Sequence, residues 1–214
     1  MQQRSDEWFE ARLGKATASR FKDVMTTIKT GEAAARKNYR AELVSERLTR
    51  TKEDGFTSTA MQWGIDNEDT ARLRYELATG NTVEECGFIS HYIMQAGASP
   101  DGLVNDDGLV EIKCPNTATH IETLKTARVP YQYYWQVMGQ LWITGRKWCD
   151  FVSFDPRMPK NAQLFITRVE YDDEQVTKLA SEVSSFLLEV DREVEFIRQY
   201  NGKPNEVTVT RIKE

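Results

Sequence analysis

Apolar residues recur every three or four positions in several segments of the chain, which is the spacing that places side chains on one face of a helix. Ser5 provides a capping side chain before the first of these segments, and Gly80 and Gly145 stand where two others end. The pattern predicts helices over residues 5–12, 33–48, 65–78 and 131–144.

The longest apolar stripe lies near the C-terminus. From Val176 to Ile197, apolar residues fall at steps of three and four behind the acidic start Asp172-Asp173-Glu174, and Gly202 follows the stripe. A stripe of this length fits either a coiled coil or a helix that packs on the sheet of its own domain. The second arrangement is the commoner one, so we predict a long amphipathic helix that packs on the sheet.

Between residues 86 and 115 the pattern changes to short runs of β-branched and aromatic residues separated by turn residues. Two further runs of this kind flank a loop that contains Pro156 and Pro159. The predicted strands are 87–94, 98–104, 109–114, 148–154 and 163–171. Because strands and helices interleave in this order, we predict an α/β (α+β) fold with a central mixed β-sheet flanked by helices.

Length and composition bound the organisation of the chain. With 214 residues, 40% of them hydrophobic, it is long enough for one sizeable core, and we predict a single domain over 1–214. Three widely spaced cysteines without a C-x-x-C pair favour a reducing compartment and no structural zinc. Since the sequence has neither a long apolar run nor a signal-peptide pattern, we expect a cytoplasmic protein without a membrane partner.

Charge is distributed unevenly along the chain. The net charge of −5 argues against a protein that coats nucleic acid with a uniformly basic surface. Residues 1–50, however, contain 11 Lys and Arg against 7 Asp and Glu, so this segment carries +4 and the remainder −9. The basic segment is suited to hold a polyanion while carboxylates elsewhere bind divalent cations, although a solvated helix face explains the same charges.

The residues with the clearest chemical meaning are Asp101 in one predicted strand and Glu111, Ile112 and Lys113 in the next. Side chains alternate along a strand, so Glu111 and Lys113 share one face while Ile112 points to the other, into the core. The turn between the two strands decides on which face Asp101 lies.

The segment Asp106-Asp107-Gly108 suits a three-residue hairpin loop, in which the third position needs a positive φ that glycine adopts cheaply. Such a loop pairs Asn105 with Leu109. Counting outward from that pair puts Asp101 opposite Lys113, next to Glu111 and on the same face.

Two carboxylates and an amine on one partly buried face are costly unless a partner compensates them. Mg²⁺ typically takes one or two protein carboxylates, several waters and substrate phosphate oxygens, so it is the natural partner for Asp101 and Glu111. A lysine beside that metal can orient or deprotonate the attacking water. The set fits phosphodiester hydrolysis, although alternation alone also fits an ordinary hairpin whose Glu and Lys face solvent.

The segment Pro100-Asp101 followed by Glu111-Ile112-Lys113 resembles the PD-(D/E)xK nuclease motif, which is short and weak alone. Flanking motifs sharpen the resemblance, and they occur in the order and approximate spacing of the lambda exonuclease family, also called the YqaJ-like viral recombinases. These motifs are Trp8-Phe9-Glu10-Ala11-Arg12-Leu13-Gly14, Thr17-Ala18-Ser19, Trp63-Gly64 with Glu68, Ser99-Pro100-Asp101-Gly102, Glu111-Ile112-Lys113-Cys114-Pro115, Tyr133 to Gln136 and Phe154-Asp155-Pro156-Arg157-Met158. The family implies a PD-(D/E)xK, restriction-endonuclease-like core.

The resemblance also implies roles for the central residues. Asp101 and Glu111 would bind Mg²⁺, for which Mn²⁺ substitutes, and the backbone carbonyl of Ile112 would be a further ligand. Lys113 would assist the nucleophilic water. Glu68 matches a further active-site acid of the family, and its alternative interpretation is a first-turn glutamate favoured by the helix dipole.

A second group matches the family's pocket for the 5′ phosphate at a DNA end: Arg12, Ser19, Ser99 and Gln136. Taken alone, Arg12 is equally an exposed helix residue and Ser19 a helix cap. Met61 falls where the family places an apolar wedge that separates the end base pair, and the alternative is a methionine that fills the core.

The function implied by the resemblance is 5′-to-3′ digestion of one strand of linear double-stranded DNA, from 5′-phosphorylated ends to mononucleotides, for single-strand-annealing recombination. The same resemblance implies a homotrimeric ring and a single-strand annealing protein as partner. An endonuclease of the same fold and a non-catalytic module that binds DNA ends are the alternatives. The complete set of Asp101, Glu111, Lys113 and Glu68 argues against the non-catalytic module.

Overall fold

Two β-sheets form the frame of the protein, whose computed structural model describes residues 2–52 and 58–201. The strands are β1 (Ala16–Thr17), β2 (Val83–Glu84), β3 (Ile89–Ser90), β4 (Ala96–Ala98), β5 (Gly102–Val104), β6 (Gly108–Lys113), β7 (Trp148–Phe154) and β8 (Leu164–Glu170). The main sheet has the order β2-β5-β6-β7-β8, with β6 and β7 parallel and the other neighbours antiparallel. A small sheet has the order β1-β4-β3. The predicted α/β fold class with a mixed sheet flanked by helices is confirmed.

The helices pack around these sheets. They are α1 (Asp6–Arg12), α2 (Phe21–Val24), α3 (Ala34–Thr49), α4 (Thr59–Thr79), α5 (Thr117–Thr126), α6 (Tyr131–Thr144) and α7 (Asp173–Arg198). Ser5 caps α1 by accepting a hydrogen bond from the backbone N–H of Trp8, and Gly80 and Gly145 end α4 and α6 with positive φ. Two short 3₁₀ turns complete the described elements.

Helix α4 begins six residues earlier than the predicted start at Ile65. The cause is Ser58, whose hydroxyl accepts a hydrogen bond from the backbone N–H of Met61 and so caps the helix upstream of its apolar face. Helix α5 was not predicted, because its threonine-rich sequence lacks a clear apolar stripe. Its start is nevertheless marked by Asn116, whose side chain caps the helix through the N–H of Thr119.

The predicted strand 98–104 is wrong as a single element. Residues Ala96–Ala98 belong to the small sheet, Gly102–Val104 belong to the main sheet, and Asp101 lies in the break between them. Pro100 explains the break, because proline has no N–H to donate to a sheet ladder. The predicted strand 87–94 likewise shortens to Ile89–Ser90.

The main sheet has a hydrophobic cluster on each face. On one face Leu109, Cys149 and Phe151 pack with α6 and the helices behind it, whereas on the other face Val110 and Val152 pack against α4. This alternation along β6 also decides the position of its polar residues, because odd-numbered positions face α6 and even-numbered positions face α4.

Helix α7 packs mainly against α3 and α6, so the prediction that the sheet is its packing partner is wrong. Its apolar stripe faces the interior of its own chain: Val176, Leu179, Val183, Phe186, Leu187, Val190 and Val194 are buried. Arginines of α3 reach across to acids of α7, with Arg36 bound to Glu189 and Arg40 to Glu193. The predicted stop at Gly202 lies outside the described residues.

Two further findings concern the whole chain. None of the described helices combines the length and the apolar character that a membrane crossing needs. The three cysteines are free thiols. Burial raises the pKa of Cys86 to about 11 and that of Cys114 to about 12, and it raises the pKa of Cys149 well above its ordinary value.

Candidate active site

The hairpin of β5 and β6 brings the central acids together, but in a register different from the predicted one. The turn consists of residues 105–107, with Asn105 at a positive φ of 50°. Gly108 joins the strand opposite Val104. The Trp148 ring lies 2.1 Å from the position that a Cβ of Gly108 would occupy, so a larger residue would clash there.

The observed ladder pairs Gly102 with Val110, so its continuation puts Asp101 opposite Glu111 and not opposite Lys113. The prediction of the opposing residue is therefore wrong. The prediction of the shared face survives, because the shift keeps the parity of the strand positions. Asp101 is further oriented by the backbone N–H of Ile112, which donates a hydrogen bond of 2.6 Å to its Oδ2.

Glu111 has no exposed surface, and its carboxylate is surrounded by donors. The side-chain amides of Gln136 and Gln140, one turn apart on α6, donate to Oε1 and Oε2 over 2.5 Å each. Lys113 forms an ion pair with Oε1. A buried carboxylate needs such partners to remain charged, so α6 and Lys113 together stabilise its ionised form.

The electrostatics of the set favour a cation. Burial, followed by the neighbouring Glu111 carboxylate, raises the pKa of Asp101 well above its ordinary value. Burial also lowers the pKa of Lys113, but Glu111 and Asp101 outweigh this effect and the net pKa of the lysine is raised. Two carboxylates are thus held close together against their repulsion, with one ammonium group between them and the aromatic ring of Tyr133 5.4 Å away.

The chemistry of the donor set fits a hard divalent cation. Within residues 2–52 and 58–201, no group of three or more His, Cys, Asp or Glu side chains is arranged to hold a metal. Mg²⁺ requires fewer protein ligands, because one or two carboxylates suffice when water and substrate oxygens complete its octahedron. Asp101 and Glu111 supply that number.

Glu68 is the third acid of the site, and it lies in the middle of α4. The interpretation as a first-turn glutamate fails, because that helix begins nine residues before it. Its Oε2 accepts a hydrogen bond of 2.5 Å from Arg4. The segment before α1 is itself anchored near Asp101, since the Gln3 amide donates to the carbonyl oxygen of Pro100 over 2.8 Å.

Glu68 and Asp101 open onto a cavity of about 800 Å³ between α4, the end of β6 and the start of α5, whereas the buried Glu111 is not among its lining residues. Its lining residues include Glu68, Asp101 and Lys113, together with Trp63 and Arg157. A second cavity, of about 540 Å³, lies beside α1 and contains Arg12 and Ser19 in its walls. The two cavities share Arg4, Met61 and Ile65 as lining residues.

Arg12, in the wall of the second cavity, is in contact with Ser99. The Arg12 guanidinium stacks on the Trp8 ring at 4.0 Å and donates to the Ser99 hydroxyl over 3.3 Å. The indole N–H of Trp8 donates to the same hydroxyl over 2.9 Å. Burial lowers the pKa of Arg12, since water is removed from its charge. Ser19 is exposed and lies within 3.3 Å of the Thr17 hydroxyl.

Two other predicted site residues occupy different surroundings. Gln136 binds Glu111, and it is not among the described residues that line the Arg12 cavity. Met61 is 57% exposed and lines both cavities, so the interpretation of this methionine as core filler is wrong.

No site role was predicted from the sequence for three residues that the structure places in these sites: Gln140, Trp8 and Arg4. Gln140 had a usable signal, because it stands four positions after Gln136 on the same helix face. Trp8 was part of a recognised motif, but its indole N–H had no predicted partner. Arg4 had no signal, since its contact depends on α4 folding back beside the N-terminus.

Comparison with family models identifies the class of the protein. A model of the YqaJ-like viral recombinase domain matches residues 7–147, which is more than half of the chain. The chain therefore belongs to the YqaJ-like viral recombinase family, as its motifs indicated.

Among solved structures, the chain is similar to the alkaline exonuclease LHK-Exo from Laribacter hongkongensis, which is also known in complex with dAMP. The two sequences are 51% identical, with 91% of this chain and 97% of LHK-Exo covered and a TM-score of 0.86. A phage related exonuclease from Haemophilus somnus 129PT has the same fold at 15% identity, with a TM-score of 0.69 over 86% of this chain and 96% of that one. No curated protein sequence matches the chain.

Proposed function

We propose that this protein is a Mg²⁺-dependent 5′-to-3′ exonuclease that digests one strand of linear double-stranded DNA from 5′-phosphorylated ends to mononucleotides. Mn²⁺ would replace Mg²⁺. Membership of the viral recombinase family and the exonuclease names of the similar structures support the nuclease class. One observation carries the end-directed form of the activity: the cavity of the acids and the cavity of Arg12 share a wall formed by Arg4, Met61 and Ile65.

In this proposal Asp101 and Glu111 would hold the metal ion, with the backbone carbonyl of Ile112 as a further ligand. A metal ion bound there would supply an activated water and neutralise charge on the attacked phosphate. Lys113 lies against Glu111 with 24% of its side chain exposed, so its ammonium group is placed to orient that water and to stabilise charge on the phosphate. Glu68 adds a further acid once it is released from Arg4.

The end of the DNA would bind in the Arg12 cavity. A guanidinium offers a planar set of donors that fits phosphate oxygens, and stacking on Trp8 fixes its plane. Ser99 and Ser19 add hydroxyl donors. Because Ser99 stands two residues before Asp101, a phosphate bound there lies next to the catalytic acids, and the neighbouring phosphodiester bond is the one presented for hydrolysis.

Gln136 and Met61 take part in the proposal in different ways. The amide of Gln136 holds Glu111, which supports a positioning role, and phosphate binding by this residue would require the amide to leave that carboxylate. The exposed side chain of Met61 stands between the two cavities, where an apolar group can separate the terminal base pair and direct one strand to each side.

The proposal extends to assembly and biological role. By family membership, the protein would form a homotrimeric ring around duplex DNA and act in the cytoplasm with a single-strand annealing protein during recombination. A ring explains how an acidic protein keeps a polyanionic substrate, because the DNA is retained topologically while local cations bind its phosphates.

The test compares four substrates with and without Mg²⁺: linear duplexes with 5′-phosphate or 5′-hydroxyl ends, nicked circles and closed circles. We expect mononucleotides from 5′-phosphorylated ends, slower digestion of 5′-hydroxyl ends, resistance of closed circles, and no activity in chelator. Replacing Arg12 by Gln should reduce the preference for phosphorylated ends by about 10- to 100-fold, the scale of a lost charge-assisted hydrogen bond.

Arg20→Gln is the matched control for Arg12→Gln. Arg20 lines the same cavity, but its guanidinium is bound by Asp23 and Glu42. The Arg20→Gln variant should keep the wild-type preference for 5′-phosphorylated ends. Cleavage of closed circles, or equal rates on both kinds of end in the wild type, would favour an endonuclease of the same fold, and full activity in chelator would exclude the metal.

A further inference from the structure

Arg157 lies in the cavity of the acids and has no part in the activity described above. Its guanidinium stacks on the Trp63 ring at a distance of 4.2 Å, and both residues line the cavity with Glu68, Asp101 and Lys113. About half of the Arg157 side chain, 47%, is exposed, so the guanidinium is accessible from the cavity. A positively charged side chain therefore lies in the wall of this cavity, where a DNA strand would pass.

The orientation of Arg157 is strongly determined. Asp155 is fully buried, and its carboxylate accepts hydrogen bonds from Nε and Nη2 of Arg157 over 2.7 and 2.9 Å. The backbone N–H of Arg157 and the hydroxyl of Thr117 donate to the same carboxylate over 3.0 and 2.7 Å. A side chain held in this way loses little conformational entropy when it binds a ligand.

One nitrogen of the guanidinium remains available. Asp155 engages Nε and Nη2, and Nη2 also donates to the carbonyl oxygen of Pro115 over 3.4 Å, whereas Nη1 makes no hydrogen bond to any atom of residues 2–52 and 58–201. Hydrogen bonds from a charged guanidinium to phosphate oxygens are among the stronger ones in proteins. Asp155 and Pro115 thus orient the group and leave Nη1 free to bind a phosphate oxygen.

The same arrangement occurs a second time, away from the cavity. Arg168 binds the buried carboxylate of Asp150 through Nε and Nη2 over 2.8 and 2.9 Å and stacks on Trp148 at 3.6 Å. Its side chain is 45% exposed, close to the value for Arg157, but it does not line the cavity of the acids. Arg157 and Arg168 therefore have the same kinds of partner, a buried aspartate and a tryptophan ring. They differ chiefly in location, because only Arg157 lines the cavity of the acids.

We propose that Arg157 is a DNA-binding residue that holds a backbone phosphate of the substrate in the cavity of the acids. Trp63 and Asp155 are its positioning residues. The proposal rests on the proposed nuclease function, because it assigns the occupant of that cavity to a DNA strand. It extends the contacts with DNA beyond the 5′-phosphate pocket, to the side of the metal site that Trp63 and the Asp155 loop form.

The experiment measures equilibrium binding of a 5′-phosphorylated duplex by fluorescence anisotropy at several KCl concentrations, with Ca²⁺ in place of Mg²⁺ to slow turnover. Loss of one phosphate contact should reduce the slope of log Kobs against log[KCl] by about 0.9 and weaken binding by about 10- to 100-fold. We expect this of Arg157→Gln. Arg157→Lys keeps the charge and should keep the slope, with a smaller loss of affinity.

Arg168→Gln is the matched control, since it also removes one positive charge and one ion pair with a buried aspartate. It should leave both the slope and the affinity unchanged, and circular dichroism checks that each variant is folded. An unchanged slope for Arg157→Gln, with a loss confined to kcat, would overturn the proposal and assign Arg157 a structural role through Trp63. Equal changes in Arg157→Gln and Arg168→Gln would also overturn it, because they would reflect only net charge.

The experiment distinguishes a wrong proposed function from a wrong role for Arg157. If the wild-type protein neither binds nor digests the duplex, the proposed function is wrong, and the role of Arg157 falls with it. If the wild type digests DNA and the Arg157 variants bind with wild-type slope and affinity, only the assignment of Arg157 is wrong. Should Arg157→Gln fail to fold, the folded Arg157→Lys variant decides: weaker binding at the wild-type slope supports the proposal, and wild-type affinity at the wild-type slope contradicts it.

Discussion

Glu111 has no contact with water, yet its carboxylate has three charged or polar donors around it. Two of them are neutral amides of α6, and the third is the ammonium group of Lys113. Amide donors stabilise the carboxylate without adding a positive charge, whereas Lys113 places a cation beside it. Lys113 is therefore the donor whose charge would be repelled by a metal ion bound at Glu111.

Replacing Lys113 by Ala should lower the single-turnover rate of DNA cleavage by roughly 10²-fold or more, the scale of a lost acid–base or electrostatic group. Folding and DNA binding should be nearly unaffected, because the amides of α6 still hold Glu111. Rapid-quench measurements on a 5′-phosphorylated duplex check this. Lys147→Ala is the control, since the ion-pair partner of Lys147 within residues 2–52 and 58–201 is the exposed turn residue Asp107. A wild-type single-turnover rate in Lys113→Ala would show that the lysine has no part in the chemical step.

Asp155 links stability to pH. Burial raises its pKa, but hydrogen bonds from Arg157 and Thr117 outweigh that effect and lower the pKa to about 2. A lowered pKa in the folded state means that the charged carboxylate stabilises the protein above about pH 4, the unfolded value, and that this contribution disappears as the pH falls through about 2. The difference corresponds to about 2.5 kcal/mol.

Asp155→Asn should therefore lower the free energy of unfolding at pH 7 by up to about 2.5 kcal/mol and reduce its dependence on pH between 4 and 2. Urea unfolding at several pH values measures both quantities. Asp106→Asn, in an exposed turn, should change neither. Parallel pH profiles of the wild type and Asp155→Asn would contradict the role of this carboxylate.

Residue parity was enough to predict that Asp101, Glu111 and Lys113 share a face, because strand alternation does not depend on which three residues form the turn. The register itself was not predictable. Gly108 suited the predicted turn, but it lies in the observed strand, where the ring of Trp148, a residue 40 positions later, packs against it. Contacts such as that of Arg4 with Glu68 likewise depend on tertiary structure.

At the scale of elements, several long periodic segments were predicted to within one residue, whereas α4 begins six residues before its predicted start. Strand Trp148–Phe154 and helix Tyr131–Thr144 have the predicted bounds. The short strands β1, β2 and β3 have two residues each, so they exist because a partner is present rather than because of their own composition. The break at Pro100 separates two sheets, and an alternating pattern alone does not report such a break.

Two glycines in helices provide a paired test of helix packing. A Cβ on Gly139 of α6 would lie 2.3 Å from the buried ring of Phe21, whereas a Cβ on Gly64 of α4 would meet no atom within 4 Å. Gly139→Ala should destabilise the protein, because overpacking costs about 1–3 kcal/mol and the gain in helix propensity is only about 1 kcal/mol.

Gly64→Ala should have the opposite effect and stabilise the protein by about 0.5–1 kcal/mol, since it gains helix propensity without a clash. Chemical denaturation of the two variants and the wild type gives the comparison. Destabilisation by Gly64→Ala would mean that α4 does not keep open space beside this position in solution.

At the scale of the whole molecule, the basic excess of residues 1–50 is largely neutralised within the chain. Arg36, Arg40 and Arg47 of α3 bind acids of α7, and Arg20 binds Asp23 and Glu42. The expectation that this whole segment attracts DNA therefore needs correction. Among the described residues of this segment, Arg12 and Lys15 line the Arg12 cavity without forming an ion pair, whereas Arg4 is bound to Glu68.

So small a set of cations makes assembly more important for retaining DNA. We expect sedimentation velocity to show a trimer at working concentrations and digestion to be processive, as measured by adding an excess of unlabelled competitor DNA after the reaction begins. Sedimentation as a monomer together with distributive cleavage would contradict the proposed ring.

The three thiols have a practical consequence for labelling the protein with a fluorophore. A thiol reacts with maleimides and disulfide reagents as the thiolate, and burial raises the pKa of Cys86, Cys114 and Cys149, so the native chain presents almost no reactive sulfur near neutral pH. A single cysteine introduced at an exposed site such as Tyr131 would therefore be the one that accepts a fluorophore. The wild-type sequence is thus a suitable background for site-specific labelling and for testing, on single molecules, the proposed processive digestion of DNA.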